Sequence, residues 1–173
     1  IGLFARTSME KGARVISYEP DIEACTLFKL NSTATVHNLA ITNQSYDSKT
    51  YYVYNWYIMN SLYNVVNEEN FHLIKEYNVN TISFKEALEE YEFNTIKCDI
   101  MGEELTLDWT LPNNIKKVCI CFYPYKIPLG YIIMYNIITH LTKQGYMAKN
   151  LSHTIPYKQH TTTAFNLFFH KTI

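Results

Sequence analysis

Glycine and proline are scarce, five of each in 173 residues, so the chain has no linker composition, and no internal repeat is visible in it. An excess of one charge is missing too. Fifteen basic and sixteen acidic residues leave a formal net charge of −1, which gives no general attraction to nucleic acid or to an anionic membrane. The most apolar run, residues 127–141, is interrupted by Asn136 and His140 and is too short to span a bilayer. The four cysteines (Cys25, Cys98, Cys119, Cys121) contain no Cys-x-x-Cys pair, and neighbours on one strand such as Cys119 and Cys121 seldom bridge. They read as reduced thiols of a cytoplasmic protein. The six histidines show no i, i+4 pair and no ligand pattern with Cys or Asp, so no built-in metal site is expected. Neither a Ser-His-Asp pattern nor a phosphate-binding loop is present.

What is there is a globular composition, 47% hydrophobic and 18% charged, at a length expected to form one domain. Residues 3–10 read as the end of a helix that Gly12 stops. A strand follows over 14–18, then a helix over 22–30 capped by Asp21, with Ala24, Leu27 and Phe28 on its buried side. Residues 35–41 read as a strand. The stretch 43–80, crowded with Tyr, Trp and Asn, is irregular apart from a strand over 51–57, and insertions of this kind often carry substrate contacts. Ser83-Phe-Lys-Glu86 is a capping box that opens a helix over 84–91. Strands over 94–98 and 115–122, a helix over 129–144 stopped by Gly145, and strands over 147–151 and 164–171 complete the chain. The alternation predicts an α/β fold with a doubly wound, mostly parallel sheet, and the last two strands should form an antiparallel hairpin.

The first twenty-one residues carry the strongest functional pattern. Gly2 opens an amphipathic segment, Lys11-Gly12 ends it, and an apolar strand closes on Glu19-Pro-Asp21. A glycine that lets backbone approach a ligand, followed about 20 residues on by a carboxylate for ribose hydroxyls, is how nucleotide-binding α/β units hold a cofactor. Glu19 is therefore assigned to ribose and Asp21 to capping the next helix.

This layout resembles the class I S-adenosylmethionine-dependent methyltransferases, and within them the FkbM-like family. Ile1-Gly-Leu-Phe-Ala with Gly12-Ala-Arg-Val-Ile-Ser-Tyr-Glu-Pro-Asp21 looks like the second half of the family's glycine motif and its ribose-binding strand. Val36-His-Asn-Leu-Ala-Ile41 is similar to the strand beside the adenine. Ile96-Lys-Cys-Asp-Ile-Met-Gly-Glu-Glu104 looks like the signature Lys-x-Asp-x-Glu-Gly-x-Glu. The resemblance implies a Rossmann-like domain over residues 1–173 whose first strand lies upstream of Ile1, and S-adenosylmethionine as cofactor. It also implies transfer of a methyl group to a hydroxyl of a sugar, glycan or other small molecule. Gly2, Glu19, Asn38 and Ala40 are the expected cofactor contacts. Asp99, at the carboxyl end of a strand, is the expected base or acceptor-orienting residue, with Glu104 carried over from the end of the signature. No nucleic-acid or membrane partner is implied, and His153 and Tyr157 are further candidates from the last loop.

Two departures bear on catalysis. Met101 stands at the signature's first glutamate, and Cys121 and Tyr123 occupy places where the family usually has Glu and often His. A catalytically decayed domain of the same fold, serving to bind a partner, is the competing expectation. Gly2-Leu-Phe-Ala with Gly102-Glu-Glu-Leu-Thr-Leu-Asp-Trp109 also resembles the two ends of a SET domain, although the Asn-His-Ser-Cys segment of that fold is missing.

Overall fold

The computed structural model describes residues 2–55, 59–64, 72–150 and 164–171, and over these the chain is mixed α/β. Its N-terminal part alternates helix and strand. Helix α1 (Leu3–Glu10) is stopped where Gly12 turns the chain at a φ of 84°, a conformation that only glycine adopts without a Cβ penalty. Strand β1 (Ile16–Tyr18) leads to helix α2 (Ile22–Asn31), and Asp21 caps that helix as expected. Its Oδ1 accepts the N–H of Glu23 at 2.8 Å and of Ala24 at 3.3 Å. The face that α2 buries is Ala24, Cys25 and Phe28, while Leu27, expected there, is half exposed. The reason is the spacing: 24–28 and 25–28 are the i, i+4 and i, i+3 neighbours of one stripe, and Leu27 lies beside it.

Strand β2 (Thr35–His37) runs parallel to β1, with Tyr18 opposite His37. The single strand expected over 35–41 is two. It breaks at Asn38-Leu39, because β3 (Ala40–Thr42) leaves β1 and pairs in parallel with β6 (Thr81–Ser83). Strands β4 (Lys49–Tyr54) and β5 (Leu73–Val79) form an antiparallel ribbon with an irregularity between Val53 and Tyr54. The sequence pattern revealed neither β5 nor β6: β5 carries Lys75, Glu76 and Asn78 and has no apolar alternation, and β6 is only three residues long. Helix α3 (Phe84–Glu90) opens with the expected capping box. Ser83 Oγ accepts the Glu86 N–H at 3.1 Å, and Glu86 Oε2 accepts the Ser83 N–H at 3.0 Å.

The C-terminal half builds one mixed sheet in the order β7 (Thr95–Cys98), β8 (Lys117–Phe122), β10 (Phe165–Lys171), β9 (Tyr146–Asn150). β7 and β8 are parallel, and β10 is antiparallel to both of its neighbours, so the expected terminal hairpin is present. Helix α4 (Gly130–Lys143) precedes β9 and ends before Gly145, whose φ is 89°. The largest core lies between this sheet and α4, where Val118, Ile120, Phe122, Leu141 and Phe169 are sealed from solvent. Trp109 and Tyr146 join them with their polar atoms satisfied: Trp109 Nε1 donates to the Glu104 carbonyl and the Tyr146 hydroxyl to the Ile115 carbonyl.

In place of one mostly parallel sheet, the described strands form four, three of them two-stranded, and three of the six pairings are antiparallel. The short strands account for this. β1, β2, β3 and β6 have three residues each, so no ladder extends from one sheet to the next. All four cysteines are free thiols. No helix among the described residues is long and apolar enough to cross a membrane.

Candidate functional site

Ligands of open α/β folds collect at the carboxyl ends of strands, where the backbone leaves the ladder and loops diverge. Here the carboxyl ends of β1 and β7, with the first two residues of β3, border one cleft of about 670 Å³, a size typical of sites for small ligands. One wall is residues 18–21 with Glu23, Ala24 and Leu27 of α2, and a second is Ala40-Ile41. The β4 ribbon contributes Tyr51, Val53, Tyr54 and residues 60–62. The last wall is residues 99–101 with Glu103 and Tyr123. Among the described lining residues five are carboxylates (Glu19, Asp21, Glu23, Asp99, Glu103) and none is basic.

Glu19 stands where the β1–β2 ladder ends. Its N–H donates to the His37 carbonyl at 3.0 Å, and the residue lines the cleft. Glu19 Oε1 accepts the Asp21 N–H at 2.9 Å. Burial pushes the Glu19 carboxyl above the usual range, opposed by that N–H. The turn is fixed from behind by Asn38, whose Nδ2 donates to the carbonyls of Glu19 at 3.0 Å and Pro20 at 2.8 Å. Asn38 thus holds the Glu19 loop and is not itself brought to the cleft. Gly2 is not brought there either. At a φ of 81° it opens α1 against α2, with Asn31 Cβ and the Phe28 carbonyl 3.4 Å from where a Cβ would sit. Ala40 is buried and lines the cleft.

Asp99 also lines the cleft, just past the end of β7. Its Oδ1 accepts the Tyr123 hydroxyl at 2.8 Å and its Oδ2 the Lys97 ammonium at 3.1 Å. Burial first, and then the Asp99 charge, push the Tyr123 hydroxyl far above its ordinary value, so it stays a hydrogen-bond donor. The next residues form a tight turn. Met101 adopts a φ of 54° and Gly102 one of 112°. The left-handed Met101 is uncommon for a side chain of this size, and Ser61 Oγ stabilises the turn by donating to its carbonyl at 2.8 Å.

The turn separates two adjacent glutamates. Glu104 is fully buried and does not line the cleft. Its two oxygens accept the N–H groups of Gly102 and Tyr123, each at 2.7 Å, which ties the end of β7 to the end of β8. Burial raises its carboxyl to about 7, with those N–H groups acting in the opposite direction. Glu103 is the one that lines the cleft, although it is only 2% exposed. Lys49 Nζ reaches its two oxygens at 3.2 and 3.4 Å, and Thr106 Oγ1 lies 3.1 Å from Oε1.

The structure therefore brings Glu19, Ala40 and Asp99 into one cleft, and gives Gly2, Asn38 and Glu104 supporting places behind it. Sequence reasoning missed Glu103 with its partner Lys49, the Tyr123–Asp99 hydrogen bond, and the wall of Tyr51 and Tyr54. The crowding of Tyr in 43–80 was the available signal for the last of these. His153 and Tyr157 lie outside the described residues. Among the described residues no three His, Cys, Asp or Glu side chains are arranged to hold a metal ion. Set against protein-family models, curated proteins and solved structures, the chain matches none of them.

Proposed function

We propose that this chain is an S-adenosylmethionine-dependent O-methyltransferase of Rossmann-like fold, acting on a hydroxyl of a sugar, glycan or other small molecule. The observation that carries the reading is the meeting of Glu19 and Asp99, eighty positions apart in the sequence, in one cleft at strand carboxyl ends. Glu19 fits a ribose. One of its oxygens is held by the Asp21 N–H and the other has no hydrogen bond to a described main-chain donor, so it can accept ribose hydroxyls. Ala40 leaves room beside it for a flat ring, and the acidic lining suits a ligand that carries a positive sulfonium.

The cofactor, when bound, supplies an electrophilic methyl whose bond to sulfur breaks as the acceptor oxygen attacks. The task of the protein is to hold the acceptor hydroxyl in line and to take up its proton. Asp99 is placed for both. Tyr123 and Lys97 fix its two oxygens, and each oxygen keeps a lone pair for the acceptor hydroxyl. Glu104 acts one step back, since it holds the backbone N–H of Tyr123 and so positions the residue that positions Asp99.

One observation favours the second reading, a decayed domain that binds a partner: Met101, which has no proton to exchange, lines the cleft where the resembling signature has glutamate. Calorimetric titration of S-adenosylhomocysteine into the 173-residue chain and its Glu19→Ala variant separates the two. Micromolar binding that weakens at least about tenfold in a folded variant supports the methyltransferase. Absence of binding to the folded wild-type chain overturns it in favour of the partner-binding module.

A further inference from the structure

We infer that Glu104 is a proton-operated clamp beneath the cleft wall. Ionised, it grips the ends of β7 and β8 together; protonated, it loosens one of them, so that the Asp99–Tyr123 hydrogen bond answers to pH. The inference goes beyond the methyltransferase reading and needs no assumption about the ligand.

The clamp is visible in the geometry. Glu104 has no solvent exposure, and its two oxygens each take a backbone N–H at 2.7 Å, one from Gly102 and one from Tyr123. Among the described residues no cation forms an ion pair with it, whereas the adjacent Glu103 has Lys49 at 3.2 Å. A sealed carboxylate held by neutral donors alone keeps their hydrogen bonds but loses its hydration, so its charged and neutral forms come close in energy. Burial accordingly brings Glu104 to about 7. The titratable groups around it come from four elements. Cys98 and Asp99 stand at the end of β7, Cys121 and Tyr123 at the end of β8, Glu103 in its own turn and Tyr63 in the segment before β5. Lys126 passes with its stem beside Gly102. Of these groups the Asp99 charge opposes ionisation of Glu104. Helix α4 buries only Gly130, Met134, Ile137 and Leu141, none of which titrates.

When Glu104 is ionised, both oxygens are full acceptors. Protonation turns one into an O–H donor with reduced acceptor capacity, so one of the two N–H contacts weakens. Both possibilities lead to the same place. Gly102 belongs to the tight turn that follows Asp99, and Tyr123 donates its hydroxyl to Asp99 at 2.8 Å. Weakening either contact loosens one partner of that bond, and both partners border the cleft. The whole fold responds in the opposite direction. Because folding favours the protonated form, rising pH tightens this wall while it lowers overall stability. On the methyltransferase reading, the ionised clamp is the state in which Asp99 is held to orient an acceptor.

The test is an NMR titration of the 173-residue chain, without ligand, from about pH 5.5 to 8.5. One unit either side of a midpoint near 7 the two forms stand about ten to one, so this window samples both. The Glu104 carboxyl carbon, at least one of the Gly102 and Tyr123 amide protons, and the Tyr123 ring carbon that bears the hydroxyl are expected to shift with one midpoint. A carboxyl carbon that does not titrate in this window overturns the clamp. So does one that titrates while the ring carbon or both amides stay still, and neither result needs a variant to fold. Folded Glu104→Gln should abolish the shared transition and folded Glu103→Gln should keep it; the reverse also overturns the inference. Binding of S-adenosylhomocysteine is read separately by calorimetry, so a chain that fails to bind it loses the methyltransferase reading and not the clamp.

Discussion

Three of the six residues of β8 (Val118, Ile120, Phe122) have no solvent exposure, whereas α1 buries Ala5 alone and leaves Leu3 72% and Phe4 58% exposed. Among the described residues the first belongs to a core of fifteen buried side chains, the second to one of three, Ala5, Phe28 and Ala34. Two walls of one cleft thus rest on very different foundations. Asp99, Glu103 and Tyr123 stand at the ends of strands from the deep core. Glu19 stands on a unit held by local hydrogen bonds, the Asp21 cap and the Asn38 clamp, and by a tie from the Tyr18 hydroxyl to Glu90 on α3. The Asp99 side is set by packing and the Glu19 side by turn chemistry.

The sharpest way to break that comparison is to remove one large side chain from each part. Phe169→Ala empties a fully buried site in the β8–β10 core and should cost about 3–5 kcal/mol, a large share of a domain's stability. Leu30→Ala, at a residue 78% exposed, should stay within about 0.5 kcal/mol. Urea denaturation followed by fluorescence measures both. Similar losses at the two sites would show that the parts are not differently anchored.

The buried Glu104 gives a pH test of the Asp99 side. Its folded value of about 7 lies above the ordinary 4.5, so the fold favours the protonated form. The resulting stabilisation is complete below about 4.5 and is lost as pH rises through 7. At about 1.4 kcal/mol per unit the change amounts to roughly 3 kcal/mol. Melting temperature should therefore fall between pH 5 and pH 8, and Glu104→Gln should flatten that fall. Because an amide oxygen can accept only one of the two N–H groups, the variant should also be less stable than wild type at pH 5. Parallel slopes for the two proteins would remove Glu104 as the source of the pH dependence.

Smaller effects than that of the core phenylalanine separate a cap in each part. Asp21→Ala and Ser83→Ala should each cost about 1 kcal/mol. Only Asp21→Ala should also weaken S-adenosylhomocysteine, because its side chain caps the helix that forms that wall, beside the Glu19 turn. Equal loss of ligand by both variants would mean that the cleft responds to overall stability rather than to the Glu19 turn.

The local signals in the chain determined its helices well. Gly12 and Gly145 ended theirs, and Asp21 and the Ser83–Glu86 box began theirs, because a cap depends on residues a few positions away and is legible wherever it occurs. Long apolar strands such as β8 and β10 were legible for the same reason. The pairing of short strands was not. Nothing within 35–41 says that Val36 joins β1 while Ile41 joins β6, since a three-residue strand takes its partner from the rest of the fold. The site divides along the same line. Spacing alone placed Glu19 and Asp99 at strand ends, and only the tertiary structure decided that Glu103 and not its neighbour Glu104 faces the cleft. Adjacent residues in a tight turn point in different directions. The Met101-Gly102 turn, Lys49 from 54 residues upstream, and the N–H groups of Gly102 and Tyr123 decide which glutamate borders the cleft and which is sealed beneath it.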